Sequence, residues 1–238
     1  MPLKATDYFI VLIGPSKHGK TTWANLLGDG YFLDTENGLR LQKESCGKEI
    51  PEDRQCRVKN WAGYLTALKS LEIGSSKNAL PFDYIVLDTV SILYDMCLDH
   101  VCKANNVSAP GDAPHGIVWS KLGIEWKRGI QRLNSLDKGL VFVAHSKQKE
   151  TQIIERGIQK TVPMLGMDVA TSAANVVSAA ADYIFHVIED RTDPKNPKLV
   201  LQTKPMNGIE AGDRSGKLPD TIPFDAKWFS DYCEKTGD

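Results

Sequence analysis

Three runs of consecutive apolar residues stand out along the chain: Phe9-Ile10-Val11-Leu12-Ile13, Tyr84-Ile85-Val86-Leu87 and Leu140-Val141-Phe142-Val143-Ala144. They are continuously apolar rather than alternating, which predicts parallel strands covered on both faces. Tyr31-Phe32-Leu33 predicts a further short strand, and Val58–Trp61 another. Between these runs the apolar spacing turns helical, over Trp23–Leu27, Trp61–Leu71, Ile92–Lys103 and Val118–Leu136. Val169–Ala180 reads as a helix of small residues. Tyr183–Ile188 and Lys198–Gln202, joined by Asp193-Pro194-Lys195-Asn196-Pro197, predict an antiparallel hairpin near the C-terminus. Glu44–Lys59 and Asn105–Gly116 are polar and irregular, and the second is a loop with the composition of a mobile segment. Lys147–Pro163 is polar and partly alternating, and reads as either a projecting hairpin or a flexible loop. The sum is a single α/β domain with a mostly parallel central sheet, flanking helices and a C-terminal antiparallel hairpin.

The first apolar run leads into Gly14-Pro15-Ser16-Lys17-His18-Gly19-Lys20-Thr21, which fits G-x-x-x-x-G-K-[ST] at every fixed position. Each fixed residue has a physical task. The glycines let the backbone turn so that successive N–H groups, continuing to Thr22, face phosphate oxygens. Lys20 reaches the β- and γ-phosphates, and the Thr21 hydroxyl is a Mg²⁺ ligand. The helix that follows adds its positive end to the same anion site. A strand before the loop and a helical pattern after it supply the context the motif requires. The stretch is read as a nucleotide-binding P-loop.

Of the 238 residues 42% are hydrophobic and 25% charged, which suits a globular protein with a full core. The net charge of −1 offers no global positive field, so any contact with nucleic acid must use a local patch. The five cysteines are odd in number and form no C-x-x-C pair. With no signal peptide and no apolar run long enough to span a bilayer, a reducing, cytoplasmic setting without membrane contact is expected. Cys97, His100 and Cys102 lie on a predicted helix without a second half-site, so zinc is not expected there.

Asp88 closes the second apolar run and is the expected partner of the P-loop, meeting Mg²⁺ through water or the Thr21 hydroxyl. Thr89 follows it, so a base directly after the magnesium aspartate is absent. Glu36, just past the strand that ends at Asp34, is the best candidate to orient or deprotonate an attacking water, with Asp34 as the competing carboxylate. His145 ends the third run, where a hydrogen-bonding side chain can sense the γ-phosphate and pass its state to the segment beginning at Lys147.

Together the P-loop, Leu33-Asp34-Thr35-Glu36, Ile85-Val86-Leu87-Asp88 and Val141–Ser146, in that order, resemble the RecA-like P-loop NTPases with an AAA-type nucleotide-binding domain. The match is closest to the small phage-encoded branch that acts as or with single-strand annealing proteins in recombination. The resemblance covers Leu3 to Pro223. It implies ATP and Mg²⁺ as cofactors, slow or DNA-stimulated hydrolysis, and a homo-oligomeric ring or filament with nucleotide between subunits. It also implies single-stranded DNA as a partner, with a single-strand DNA-binding protein as a further one. The DNA-facing loop would be Lys147–Pro163, carrying Lys147, Lys149, Arg156 and Lys160 but no aromatic residue to stack on bases. Lys204, and after it Arg214, match the basic residues that reach a neighbouring subunit's γ-phosphate. The extensions of the larger recombinases are missing, so binding or annealing of single strands is expected rather than full strand exchange. Two other readings compete: a small-molecule or nucleotide kinase, for which Arg54, Arg57, Arg128 and Arg132 form no compact lid signature, and a non-hydrolysing module whose assembly ATP controls.

Overall fold

The computed structural model describes residues 3–155, 158–206 and 208–236. Its centre is β1 (Phe9–Gly14), every residue of which is buried. Phe9, Val11 and Ile13 enter one apolar cluster and Ile10 and Leu12 the other. The uninterrupted apolar run is therefore two interleaved faces, each needing its own cover.

After β1 come α1 (Lys20–Leu26), β2 (Gly30–Asp34), a five-residue helix α2 (Gln42–Cys46) and β3 (Gln55–Arg57). The strand expected at Val58–Trp61 is thus three residues earlier. Asn60 lies beyond it, where its Oδ1 accepts the Gly63 N–H at 2.8 Å and caps the start of helix α3 (Trp61–Ser76). The chain continues through β4 (Tyr84–Asp88), α4 (Val90–Ala104) and α5 (Ile117–Asn134). Next are β5 (Gly139–Glu155), β6 (Ile158–Met167), α6 (Thr171–Ala180), β7 (Tyr183–Asp190) and β8 (Lys198–Gln202). Two short strands, β9 (Gly212–Asp213) and β10 (Thr221–Pro223), precede the closing helix α7 (Ala226–Thr236).

The main strand order is β10-β8-β7-β1-β5-β4-β2-β3. From β7 to β3 neighbouring strands are parallel, and β7 with β8 forms the antiparallel hairpin. This is a mixed α/β architecture of the P-loop NTPase kind. Helices α3 to α6 cover one face, through residues such as Trp61, Leu93, Trp126 and Val177, while α1 and α7 cover the other through Trp23 and Phe229. Cys97 and Cys102 lie in the first of these cores, where burial pushes the Cys97 thiol up to about 12.

Two features set the geometry of the functional end. The register aligns Gly14 with His145 and Asp34 with Asp88, bringing four strand ends to one edge of the sheet. Tyr84, at the start of β4, donates its hydroxyl to Ala24 O at 2.6 Å and so ties α1 to the strand that carries Asp88.

The described residues of Lys147–Pro163, open between hairpin and loop in sequence, lie within an antiparallel ribbon. β5 runs past the sheet and pairs with β6 from Ser146↔Met167 to Glu155↔Ile158. Among the described residues no helix is long and apolar enough to cross a membrane.

Candidate functional site

The P-loop connects β1 to α1 with Lys17 at φ 63° and Gly19 at φ 75°, a left-handed backbone that turns loop N–H groups to one side. Gly14 is required for a different reason: a Cβ there would stand 2.8 Å from Val187 Cβ on β7. The loop opens on a cleft of about 750 Å³ at the carboxyl edge of the sheet. Ser16, Lys17, Gly19, Lys20, Thr21 and Thr22 line it, whereas Gly14, Pro15 and His18 do not. His18 is folded back within the loop, its Nδ1 2.8 Å from Ser16 O. This edge is where the strand order reverses around β1, the place where open α/β sheets hold ligands.

Lys20 is 5% exposed, and its ammonium donates to Gly14 O at 2.9 Å and Pro15 O at 2.6 Å. Burial lowers its pKa to about 8, against the favourable charges of Asp88 and Glu36. Asp88, 4% exposed, shows the mirror effect: burial raises its pKa to about 6, opposed by the hydrogen bond from Thr21, whose Oγ1 donates to Oδ2 at 2.7 Å. Both groups thus sit in a place that disfavours their own charge, an arrangement that a phosphate beside one and a cation beside the other would reverse. A hydroxyl and a carboxylate in contact are hard oxygen donors that fit Mg²⁺.

Glu36 reaches the same edge from the turn after β2. Its Oε1 is 2.6 Å from His145 Nε2 and accepts the Thr89 hydroxyl at 3.2 Å. The competing carboxylate, Asp34, faces the other way: its Oδ1 accepts the N–H groups of Glu36 at 2.9 Å and Asn37 at 2.7 Å, and Arg57 Nη1 at 3.2 Å. Asp34 shapes the turn that presents Glu36. Thr35 locks this turn to β4, donating to Asp88 O at 3.0 Å and accepting Thr89 N–H at 2.7 Å. The Asp88–Thr89 peptide is cis.

The structure therefore brings Lys20, Thr21, Asp88, Glu36 and His145 together. It does not bring Lys204 or Arg214 to them. Lys204 follows β8 and donates to Gly216 O at 3.4 Å, while Arg214 donates to Asp182 Oδ1 at 2.9 Å and to Ala179 O at 3.1 Å, beside the first residues of β7. On the ribbon, Lys147 stands 3.3 Å from Asp168 and Lys149 donates to Val169 O. Arg156 lies outside the described residues. The four arginines weighed for a kinase lid do not line the cleft: Arg54 pairs with Asp29, Arg57 with Asp34 and Arg132 with Glu72, and Arg128 lines a groove between α4 and α5.

Three contributors had no distinct signal in the sequence. Thr89 read only as the absence of a glutamate, Gln42 sits in a helix too short to show periodicity, and Phe224 arrives from the far end of the chain. Phe224 packs on the P-loop, its Cε1 3.3 Å from where a Gly19 Cβ would be, and with Asp225 and Ala226 completes the cleft wall.

No curated protein matches the sequence. The profile of the AAA domain matches residues 6–215, a span that takes in the P-loop, the Glu36 turn, Asp88, His145 and the ribbon. With that match over most of its length, the chain belongs to the AAA-domain family and carries the nucleotide-binding ATPase domain of that family.

Proposed function

We propose that this protein is a Mg²⁺-dependent RecA-like ATPase that couples its nucleotide state to binding and annealing of single-stranded DNA, in phage recombination or replication. The observation that carries the reading is the continuity of β5. The strand that presents His145 to the cleft runs on without a break into the ribbon, so one rigid element joins the two places. On that ribbon Lys147 and Lys149 alternate onto one face, and the register puts Lys160, opposite Ile153, on the same face. A row of cations along a projecting ribbon suits the phosphate backbone of a single strand.

In this reading the loop N–H groups and Lys20 bind the β- and γ-phosphates of ATP, and Thr21 and Asp88 hold Mg²⁺. The ion supplies neutralisation of the charge on the phosphate oxygens. Glu36 orients the attacking water and accepts its proton as the water oxygen bonds to the γ-phosphorus and ADP leaves. Thr89 and His145 hold the Glu36 carboxylate in place, and His145 passes any shift of Glu36 into β5. A homo-oligomer, with Lys204 or Arg214 of a neighbouring subunit at the γ-phosphate, belongs to the same proposal. Arg214 would first have to leave Asp182.

The test is steady-state ATP turnover with and without single-stranded DNA, beside DNA binding with and without ATP. Stimulation of turnover by DNA, together with DNA binding that depends on ATP, is the expected result. Turnover indifferent to DNA, with no DNA retained in either state, overturns the DNA part and leaves an ATPase with another partner.

A further inference from the structure

Both strands that flank β1 at the P-loop are tied to the ribbon, by different means. β5 reaches it by running on. β7 does not enter it, yet the loop that follows β8 joins the two. That loop crosses the base of β6: Leu165 donates its N–H to Gly208 O at 2.6 Å, and Leu165 O accepts the Glu210 N–H at 2.9 Å. The approach is close enough to exclude a Cβ on both sides. Gly208 has φ 72°, and a Cβ on it would stand 2.5 Å from Pro163 O. A Cβ on Gly166 would stand 2.5 Å from Glu210 Oε2.

Glu210 joins three elements. Its Oε2 accepts the Met167 N–H at 3.0 Å, at the end of β6, and its Oε1 accepts the Ser178 hydroxyl at 3.0 Å, from α6. Its carbonyl lies 3.2 Å from Nδ1 of His186, on β7. A carbonyl can only accept, so Nδ1 carries the proton and donates. His186 is fully buried, and burial lowers its pKa, which keeps the ring neutral. The other ring nitrogen, Nε2, is buried without a hydrogen-bond partner among the described residues. A bare acceptor at that depth is costly, and the one polar anchor of the ring there is the Glu210 carbonyl. His186 is level with Ile13 of β1, and Val187 beside it leaves no room for a Cβ on Gly14.

We infer that Glu210 is a positioning residue that fixes β7, and through it the first glycine of the P-loop, to the base of the ribbon. The inference rests on the nucleotide reading above and adds a second route between cleft and ribbon, independent of His145. It does not depend on what the ribbon binds. A shift of Gly14 on phosphate binding reaches Val187 by contact and His186 along β7. The Glu210 carbonyl takes it up from His186, and the Glu210 carboxylate and N–H hand it to Met167 and Leu165. Close packing leaves these groups little room to absorb the shift on the way. The P-loop strand is thereby held to the ribbon from both of its neighbours, through the continuity of β5 on one side and through Glu210 on the other.

The experiment follows amide hydrogen exchange in residues 164–168 of the full chain, with and without a non-hydrolysable ATP analogue and Mg²⁺, beside affinity for the analogue. The readout is the ratio of the two exchange rates, because loss of a local hydrogen bond alone speeds exchange in both states alike. In wild type the analogue is expected to slow exchange by about tenfold. Glu210→Ala and His186→Leu each reduce this to about threefold, the share left to β5, while affinity for the analogue stays within about threefold. Glu210→Gln keeps the wild-type ratio, since its carboxamide oxygen accepts the Met167 N–H and its amide group donates to Ser178 Oγ. Should Glu210→Ala fail to fold, His186→Leu, which leaves the Glu210 carboxylate in place, decides alone. The inference is overturned if either variant keeps the wild-type ratio, or if Glu210→Gln loses as much as Glu210→Ala. It is also overturned if wild type binds the analogue without slower exchange in this segment, an outcome that spares the nucleotide reading. Failure to bind the analogue overturns the nucleotide reading together with the inference.

Discussion

Lys20 in the cleft and Lys147 and Lys149 on the ribbon lie at the two sides of His145, yet their surroundings differ in kind. Lys20 is buried and donates to two loop carbonyls, with no carboxylate in contact among the described residues, and burial lowers its pKa. Lys147 is exposed beside Asp168, and Lys149 is half-buried on the Val169 carbonyl. The cleft concentrates uncompensated burial: the Asp88 carboxylate receives one side-chain hydrogen bond, from Thr21, and its pKa is raised. On the ribbon Lys147 is exposed beside Asp168, while Lys149 shares a milder form of the cleft's burial, which lowers its pKa as well, and is held by a backbone carbonyl. Bringing an opposite charge to the cleft relieves a standing cost, so single residues there carry large effects. A strand laid along the ribbon exchanges one set of solvated contacts for another, so each residue contributes little and the response is salt-dependent.

The largest test of this contrast is Glu36→Gln. It is isosteric and keeps an acceptor for Thr89, so ATP affinity should hold while turnover falls by about 10²- to 10⁴-fold, measured by phosphate release beside equilibrium binding. Turnover that survives would place the base elsewhere and dissolve the cleft network as argued. Asp88→Asn probes the burial cost directly. Because the folded pKa of Asp88, about 6, lies above its ordinary 3.8, the native state binds the proton better than the unfolded chain. Stability from this group is therefore present below about pH 4, lost as the pH rises to about 6, and flat above. The asparagine variant should be more stable than wild type at pH 7.5 without nucleotide, by on the order of 2 kcal/mol, and no more stable at pH 4. Thermal unfolding at the two pH values reads the difference.

How far the sequence carried this picture varied with distance along the chain. The P-loop and the strands ending at Asp34 and Asp88 were legible because an apolar run and the polar residue closing it are local signals, whereas the strand expected to end at His145 runs on to Glu155, where polar residues hid its continuation. The parallel sheet followed from the lack of alternation. Glu36 was favoured over Asp34 on its place just past the strand, but the contacts that separate two carboxylates of one acidic turn were not legible. In the structure Asp34 meets two backbone N–H groups and Arg57, while Glu36 meets Thr89 and His145. Val58–Trp61 misled because its two apolar ends bracket Lys59 and Asn60, and the capping role of Asn60 shows only once the Gly63 N–H is placed. Gln42 and Phe224, about 180 positions apart, line the same cleft through packing that no window of sequence contains.

A titration sharpens the cleft side further. With the pKa of Lys20 lowered to about 8 from 10.5, the free protein loses its ammonium as the pH rises past 8. ATP affinity should be level between pH 7 and 8 and then weaken by up to about tenfold per unit above it. Isothermal titration across that range is the measurement, with Asp88→Asn as a second background. On the ribbon side, Lys147→Ala with Lys160→Ala should lower the slope of log affinity for single-stranded DNA against log salt by about 1. ATP affinity should be unchanged. A loss of ATP binding in that double variant would break the contrast, because it would make the ribbon part of the cleft's own charge balance.

The smallest expected effect comes from Thr89→Val, which removes one neutral hydroxyl donor from Glu36 and keeps the shape of the side chain. Glu36 would retain His145 at 2.6 Å, so the carboxylate is still held from one side. A single hydrogen bond of this kind contributes on the order of 1 kcal/mol, which predicts a fall in kcat of about threefold to tenfold with KM for ATP unchanged. Pairing it with His145→Ala shows how the hold is shared. If the two supports act on one carboxylate, the double variant falls short of or exceeds the product of the singles, as contacting residues do. Simple multiplication would mean that Thr89 and His145 serve separate ends of the cleft, and that His145 reports to the ribbon without passing through Glu36.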